Sequence, residues 1–186
     1  MRKLPRILPI ASCALATCLA AAQSPTAVEF IQNDCGHYFV TASPSEVANL
    51  DGGVFPGWSR TGHEFEVFPA GTPGCAGVCR FWSGQTYAPK SSHFYTPYGG
   101  ECAEVKTNPD WQFEGEVFAL KLPDAAGTCT SGTVPLYRLY NAGKGGAPNH
   151  RYTTSLAVRA EMLAQGWMTE GTGTGIAGCA PVSSQL

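Results

Sequence analysis

One pattern of residues occurs three times along this chain, and it constrains the fold more than any other feature. Each occurrence contains a histidine that opens an aromatic run: His37, His93 and His150. Each also contains a tryptophan that opens a W-x-x-x-G motif: Trp58, Trp111 and Trp167. The histidines are 56 and 57 residues apart, and periods of this length are typical of units that bury their apolar faces against one another. The sequence therefore predicts three repeats, at about residues 28–68, 79–122 and 136–179.

Local signals predict short strands and one short helix in each repeat. In the first repeat, residues 38–41 are aromatic and β-branched, which favours a strand. Ser43, Pro44 and Glu46 then predict a helix start with a capping box. Residues 58–62 and 64–68 predict two further strands that meet at a glycine, with a bulge or bend there. The other two repeats follow the same order, with four strands and one helix each.

Twelve short strands in three units match the strand count of a β-trefoil. We therefore expect a mainly β fold with short helices, arranged as a pseudo-threefold repeat that is β-trefoil-like. A small propeller and an irregular α+β sheet are the alternatives. We expect the aromatic side chains at corresponding places in the repeats to form a shared core. They are Phe39, Tyr95 and Tyr152, together with Trp58, Trp111 and Trp167.

The amino terminus predicts export from the cytoplasm. Residues 1–22 combine a basic start, an apolar stretch and a small-residue cleavage site, as a secretory signal peptide does. Residues 23–186 would then form a single domain that is secreted or periplasmic. A lipoprotein anchored through Cys18 or Cys13 is the alternative, because the residues before each cysteine resemble a lipobox. We expect no transmembrane segment elsewhere in the chain.

The charge of the remaining chain bears on its partners. Without the signal peptide it has 9 Lys and Arg residues against 14 Asp and Glu residues, so its net charge is near −5. No basic cluster remains, which argues against nucleic acid as a partner. We expect a monomer whose partner is a carbohydrate or a surface protein.

Six cysteines follow the predicted signal peptide, and an even number in an exported chain predicts disulfides. Many pairings are possible, but each repeat contains two cysteines. The hypothesis is therefore one bridge within each repeat: Cys35–Cys75, Cys79–Cys102 and Cys129–Cys179. Zinc is disfavoured, because only one pair of cysteines is closely spaced in the sequence.

The chain resembles a repeat family of unknown function that is found in exported bacterial proteins. The residues that carry the resemblance are H-F-Y-T at 93–96, E-C-A at 101–103, W-x-F-E-G at 111–115 and N-H-R-Y-T-T at 149–154. The resemblance extends over residues 28–181, which is nearly the whole chain after the signal peptide. It implies a non-catalytic accessory or recognition module, with no activity that can be assigned to particular residues.

Two kinds of catalytic chemistry have some support in single residues. Three histidines that converge on one axis would form an open metal site, and Glu114 with Glu170 would support glycoside hydrolysis if they shared a cleft. The plainer interpretation is that each histidine begins a strand and each glutamate is a structural partner or an exposed charge. No G-x-S-x-G motif marks a nucleophile. We expect no catalytic residue, no metal and no cofactor.

Binding is the remaining class of function, because aromatic rings beside polar groups are typical of sugar-binding sites. The predicted binding residues are His37, His93, His150, Tyr140, Asn141 and Asn149. The sequence thus predicts a secreted, non-catalytic recognition module for a carbohydrate or another cell-surface partner. The alternatives are a secreted hydrolase with an unrecognised His/Glu site and a purely structural accessory domain.

Overall fold

The computed structural model describes residues 24–183 of the chain. The predicted signal peptide, with Cys13 and Cys18, lies outside these residues. The described part is mainly β, with ten strands, three short α-helices and one 3-10 turn. Its strands form three small antiparallel sheets, and none of the described sheets closes into a barrel. None of the helices between residues 24 and 183 is long and apolar enough to cross a membrane.

Each sheet is built from one continuous part of the chain, which we call the first, second and third segments. The first contains β1 (Thr26–Gln32), β2 (Tyr38–Thr41), α1 (Pro44–Asp51) and β3 (Trp58–Glu66). The second contains β4 (Ala76–Trp82), β5 (His93–Thr96), α2 (Gly99–Val105) and β6 (Gln112–Leu120). The third contains β7 (Thr133–Tyr140), the 3-10 turn (Lys144–Gly146), β8 (His150–Thr153), α3 (Leu156–Ala164), β9 (Met168–Glu170) and β10 (Ile176–Pro181).

The first strand of each segment lies in the middle of its sheet. The strand orders are β2-β1-β3, β5-β4-β6 and β8-β7-β10, and β9 also pairs with β7. The second strand of each segment therefore pairs with one edge of the central strand, and the strand after the helix pairs with the other edge. Helices α1 and α2 each contact the next segment, because Glu46 of α1 binds Arg80 of β4 and Glu101 of α2 binds Arg138 of β7.

The first two segments have three strands rather than the predicted four. Where the sequence predicts two strands that meet at Gly62, β3 is continuous, and its pairing with β1 shifts register between Val28 and Phe30. In the third segment this strand is divided into β9 and β10. Between them Gly171 has φ 118°, and a Cβ there would lie 2.5 Å from the carbonyl oxygen of Ile176, so only glycine fits. The described residues thus have ten strands, and the predicted twelve are wrong.

Local capping chemistry starts α1. Pro44 is its first residue, and Ser43 Oγ accepts a hydrogen bond from the Glu46 backbone N–H at 3.4 Å. The predicted capping box is wrong in one respect, because the Ser43 backbone N–H donates to Thr41 Oγ1 at 3.0 Å rather than to Glu46. The Glu46 carboxylate instead accepts a hydrogen bond from Thr41 and binds Arg80 of the second segment.

The largest apolar cluster contains residues of all three segments, among them Val40, Tyr95 and Tyr152. Tyr95 Oη donates to the Val40 carbonyl oxygen at 2.7 Å and accepts from the Val40 N–H at 3.0 Å. Tyr152 Oη contacts the Tyr95 backbone in the same way, at 2.8 and 2.9 Å. Two buried hydroxyls therefore join the second strands of the three segments.

The predicted aromatic core needs two corrections. Phe39 is buried, but Val40 holds the register position that Tyr95 and Tyr152 hold in their sheets. The tryptophans do not share one core, because they are half-buried and pack against three different apolar clusters. Trp58 packs against the cluster that contains Val40, Trp111 against the cluster that contains Phe94, and Trp167 against the cluster that contains Leu139.

Two of the three predicted disulfides are confirmed. Cys79 in β4 is bonded to Cys102 in α2, and Cys129, before β7, is bonded to Cys179 in β10. Each bond closes a loop within one segment. Two disulfides fit an extracellular protein, because such bonds persist in oxidising compartments.

The predicted Cys35–Cys75 bond is wrong, since both thiols are free. Cys35 lies in the turn after β1, where its backbone N–H donates to the Gln32 side chain at 2.9 Å. Cys75 lies directly before β4, in a shallow surface groove beside Lys121. The two cysteines are therefore at different places in the fold, although each segment contributes a pair to the sequence.

We expect Tyr95→Phe to lower the free energy of unfolding by about 1–3 kcal/mol, because it leaves the buried N–H and carbonyl of Val40 without their partner. Urea unfolding measures the change. Tyr137→Phe is the matched control, since the Tyr137 hydroxyl has no hydrogen-bond partner among the described residues. Equal stability of the two variants would show that the Tyr95 hydroxyl does not join the segments.

Candidate binding clefts

A cleft of about 370 Å³ opens between the first and second segments, and we call it the first cleft. Its aromatic rings are those of Phe39, Phe55, Trp58 and Trp82. Its ionisable side chains are Glu46 from α1, Arg80 from β4, His93 from β5 and Glu114 from β6. The first cleft thus combines an aromatic wall with a group of charged side chains from both segments.

Arg80 connects the charged side chains of the first cleft. Its Nη1 and Nη2 donate to the two oxygens of Glu46 at 2.9 and 2.8 Å, and its Nε lies 2.8 Å from Glu114 Oε2. Its Cζ also lies over the Phe39 ring, 5.2 Å from the ring centroid. One buried guanidinium therefore fixes two carboxylates, one from each segment, in the same cleft.

The pKa values of these groups shift in different directions. Hydrogen bonds from Arg80 lower the pKa of Glu46, whereas burial raises the pKa of Glu114 although Arg80 opposes the rise. Burial, together with the charge of Arg80, lowers the pKa of His93 to about 3. His93 is therefore neutral at neutral pH. With both glutamates ionised, two carboxylates face one guanidinium.

A second cleft, of about 420 Å³, lies between the second and third segments. Its aromatic rings are those of Tyr87, Phe94, Trp111 and Tyr140. Its ionisable side chains include Glu101 and Glu104 from α2, Arg138 from β7, His150 from β8 and Glu170 from β9. The second cleft therefore has the same kinds of side chain as the first, from the corresponding elements of the next two segments.

Arg138 makes the same kinds of contact in the second cleft as Arg80 makes in the first cleft. Its Nη1 and Nη2 donate to Glu101 at 2.9 and 2.8 Å, and its Nε lies 3.3 Å from Glu170 Oε2. His150 Nε2 lies 3.2 Å from the same Glu170 oxygen, and burial lowers the pKa of His150. The neutral imidazole therefore donates its Nε2–H to Glu170.

Strand alternation explains why the two clefts have the same parts. Arg80 pairs with Tyr95 and Trp82 pairs with His93, so these side chains lie on one face of the second sheet. The corresponding pairs in the third sheet are Arg138–Tyr152 and Tyr140–His150. On each of these faces, the arginine reaches the first turn of the helix of the preceding segment.

The junction between the third and first segments has the opposite charge arrangement. Glu29 holds the register position of the two cleft arginines and is only 1% exposed. Arg151 in β8 donates to it from Nε and Nη2 at 3.0 and 2.8 Å, and Thr61 Oγ1 donates at 2.7 Å. The Arg151 guanidinium lies over the Tyr38 ring, which also contacts Trp167. A buried ion pair and ring contacts thus join these two segments.

The three predicted histidines do not share a site. Tyr38, not His37, holds the register position of His93 and His150, so the alignment on histidine is one residue out of register in the first segment. His37 Nδ1 lies 3.0 Å from the Ser91 carbonyl oxygen, whereas the other two histidines line separate clefts. Among residues 24–183, no group of three or more His, Cys, Asp and Glu is placed to hold a metal ion.

Of the other predicted binding residues, Tyr140 lines a cleft, whereas Asn141 and Asn149 do not. Tyr140 lines the second cleft. Asn141 and Asn149 are buried and hold loops together, since Asn141 Nδ2 donates to the Ala147 carbonyl oxygen and Asn149 Oδ1 accepts from the Tyr38 N–H. Their amides are therefore occupied by the protein backbone.

The arginines and helix glutamates of the clefts were not among the binding residues predicted from the sequence. Arg80 and Arg138 occupy buried positions in the central strands, where charged residues are rarely found without a partner. Glu46 and Glu101 each lie in the first turn of a helix. A charged residue inside an otherwise apolar strand is the signal that points to this network.

These sheets and clefts define the protein as a mainly β domain with two candidate binding sites. A family profile described as a domain of unknown function, DUF5648, matches residues 26–177. The chain belongs to this family, which agrees with its resemblance to an uncharacterised family. No curated protein and no solved structure matches the chain in the corresponding searches.

Proposed function

We propose that this domain is an exported, non-catalytic recognition module that binds a carbohydrate in its two clefts. The observation that carries the proposal is the composition of the first cleft, where four aromatic rings lie beside the paired carboxylates of Glu46 and Glu114. Aromatic faces stack on the apolar face of a sugar ring, while fixed polar groups orient its hydroxyls. The predicted signal peptide and the two disulfides support export.

Two groups in the first cleft are placed to contact a ligand directly. Phe55, in the loop after α1, is 52% exposed, so much of its ring is open for stacking. Glu114 binds Arg80 through Oε2, and its Oε1 has no hydrogen-bond partner among the described residues. This second oxygen is able to accept a sugar hydroxyl while the ion pair stays intact.

We also propose that the three segments are pseudo-threefold copies of one unit. The central first strand of each sheet and the arginine network at two junctions support this arrangement. At the third junction, the Glu29–Arg151 pair stands where a third cleft would lie. The domain then offers two sites rather than three, and two linked weak sites add avidity on a repetitive ligand.

A secreted hydrolase is the second candidate, because one observation favours it. Glu46 and Glu114 have pKa values shifted in opposite directions within one cleft, as the acid and base of a glycosidase do. Both carboxylates are bound to Arg80, which favours their ionised forms and opposes a role as general acid. Release of reducing sugar that Glu114→Gln abolishes would establish this candidate and contradict the non-catalytic module.

We expect Phe55→Ala to weaken carbohydrate binding about fivefold to tenfold at one of two sites, because it removes an exposed stacking surface. A glycan array with the full chain identifies the ligand, and isothermal titration calorimetry then measures affinity and stoichiometry. Val54→Ala is the control, since Val54 is adjacent, 62% exposed and outside the first cleft. Absence of any bound glycan, or equal losses in both variants, would contradict the proposal.

A further inference from the structure

We infer that the second cleft recognises a cationic group, and that its ligand class is an amino sugar with a free amine. This inference rests on the proposed carbohydrate binding and goes further, because it names the chemical group that the second cleft selects. It is carried by the charges and the partly exposed rings of the second cleft.

Acidic side chains outnumber basic ones in the second cleft. Arg138 is the one Arg or Lys among its described lining residues, whereas three glutamates line it. Arg138 is 4% exposed, and its three guanidinium nitrogens face Glu101 or Glu170, so its charge is already balanced. Glu104 is exposed on α2, and its carboxylate has no partner among the described residues. A cationic ligand would balance this excess of negative charge.

Partly exposed rings surround these carboxylates. They belong to Tyr87, Trp111 and Tyr140. An ammonium group within about 6 Å of a ring centroid is attracted to the electron-rich face of the ring. The inner end of the cleft already has such a contact, since Arg138 Cζ lies 4.8 Å from the Phe94 centroid. Rings beside carboxylates therefore favour an amine over a neutral or acidic sugar.

A buried nitrogen in the cleft lacks a partner. His150 is 6% exposed and lines the second cleft. Its Nε2–H donates to Glu170, so Nδ1 carries a lone pair, and Nδ1 has no hydrogen-bond partner. A buried acceptor without a donor is unfavourable. His93 Nδ1 of the first cleft is buried and unpartnered in the same way, so this nitrogen is common to both clefts and does not distinguish their ligands.

The first cleft provides a comparison within the same molecule. Asn49 of α1 and Glu104 of α2 hold corresponding helix positions. Each lies three residues after the helix glutamate that binds the cleft arginine. Both Asn49 and Glu104 line their clefts. The first cleft therefore lacks one carboxylate that the second has, and we expect it to prefer neutral sugars.

Isothermal titration calorimetry of the full chain with a glucosamine tetramer and its N-acetylated counterpart tests the inference, at a pH where the amine is protonated. We expect the amine form to bind one site at least about tenfold more tightly, with an affinity that falls as salt is added. Glu104→Gln should weaken the amine form about threefold to tenfold. Glu161→Gln is the matched control and should change nothing, because Glu161 holds the corresponding position in α3, outside both clefts.

A second probe separates this inference from carbohydrate binding. Tetramethylammonium carries a charge but no sugar, and we expect it to shift the indole NMR signal of Trp111 more than that of Trp58. Tighter binding of the N-acetylated tetramer, or equal effects of Glu104→Gln and Glu161→Gln, would overturn the inference and leave carbohydrate binding in place. A tetramethylammonium response without binding of either sugar would retain the cation site and overturn the carbohydrate proposal.

Discussion

Replacing Arg151 with methionine is expected to lower the free energy of unfolding by about 3–5 kcal/mol. Glu29 is 1% exposed and receives two hydrogen bonds from Arg151, so the variant leaves a buried carboxylate with Thr61 as its remaining side-chain partner. The pair joins residues 122 positions apart and connects the first segment to the third. Urea unfolding followed by tryptophan fluorescence measures the loss.

Two further variants separate the loss of the ion pair from the loss of a charge. Glu29→Leu combined with Arg151→Met should recover much of the lost stability, because an apolar pair often replaces a buried ion pair without cost. Arg60→Met is the surface control, since the Arg60–Asp51 pair is exposed and such pairs contribute about 1 kcal/mol or less. If Arg151→Met lowers the free energy of unfolding no more than Arg60→Met does, the buried pair does not hold the two segments together.

We expect the loss of the Cys129–Cys179 bond, with both residues replaced by alanine, to lower the free energy of unfolding by about 4 kcal/mol in the chain-entropy model. The bond spans 50 residues, and Cys179 is fully buried in β10. The Cys79–Cys102 bond spans 23 residues, so its removal should lower the free energy of unfolding by about 0.7 kcal/mol less. Chemical unfolding of the two double variants measures both changes.

The free cysteines provide the control for this experiment. Cys35→Ser and Cys75→Ser remove thiols that form no bond, so each should change stability by less than about 1 kcal/mol. Peptide mapping under non-reducing conditions should recover two bridged peptides. A Cys35–Cys75 peptide, or a loss in these variants as large as that from a disulfide, would contradict the assignment of free thiols.

Features that depend on neighbouring residues could be predicted well. Ser43 and Pro44 start α1 because capping acts within one helical turn. Residues 38–41 form β2, as their aromatic and β-branched side chains predict. The two strands predicted to meet at Gly62 form one strand, because pairing with the central strand β1 continues on both sides of a shift in register, and this shift is the irregularity that the glycine predicts.

Features of the clefts that depend on distant residues could not be predicted. Arg80 binds Glu46 across 34 positions, and Arg138 binds Glu101 across 37 positions, because neighbouring segments pack there. The position of the His37 side chain could not be predicted either, because a one-residue difference in register moves a side chain to the other face of a sheet. Aligning identical residues of the three repeats does not reveal such a difference in strand register.

The sequence by itself determined most of the strands and the starts of α1 and α3, because alternation and capping act within one segment. Assigning one bridge to each repeat predicted two of the three disulfides correctly. Only the packing of the three sheets decided which glutamates share an arginine and that the tryptophans lie in separate clusters. Packing also decided that a buried ion pair, rather than a cleft, joins the ends of the domain. These contacts unite residues far apart in the chain, and their energies depend on a burial that exists only once the sheets have come together.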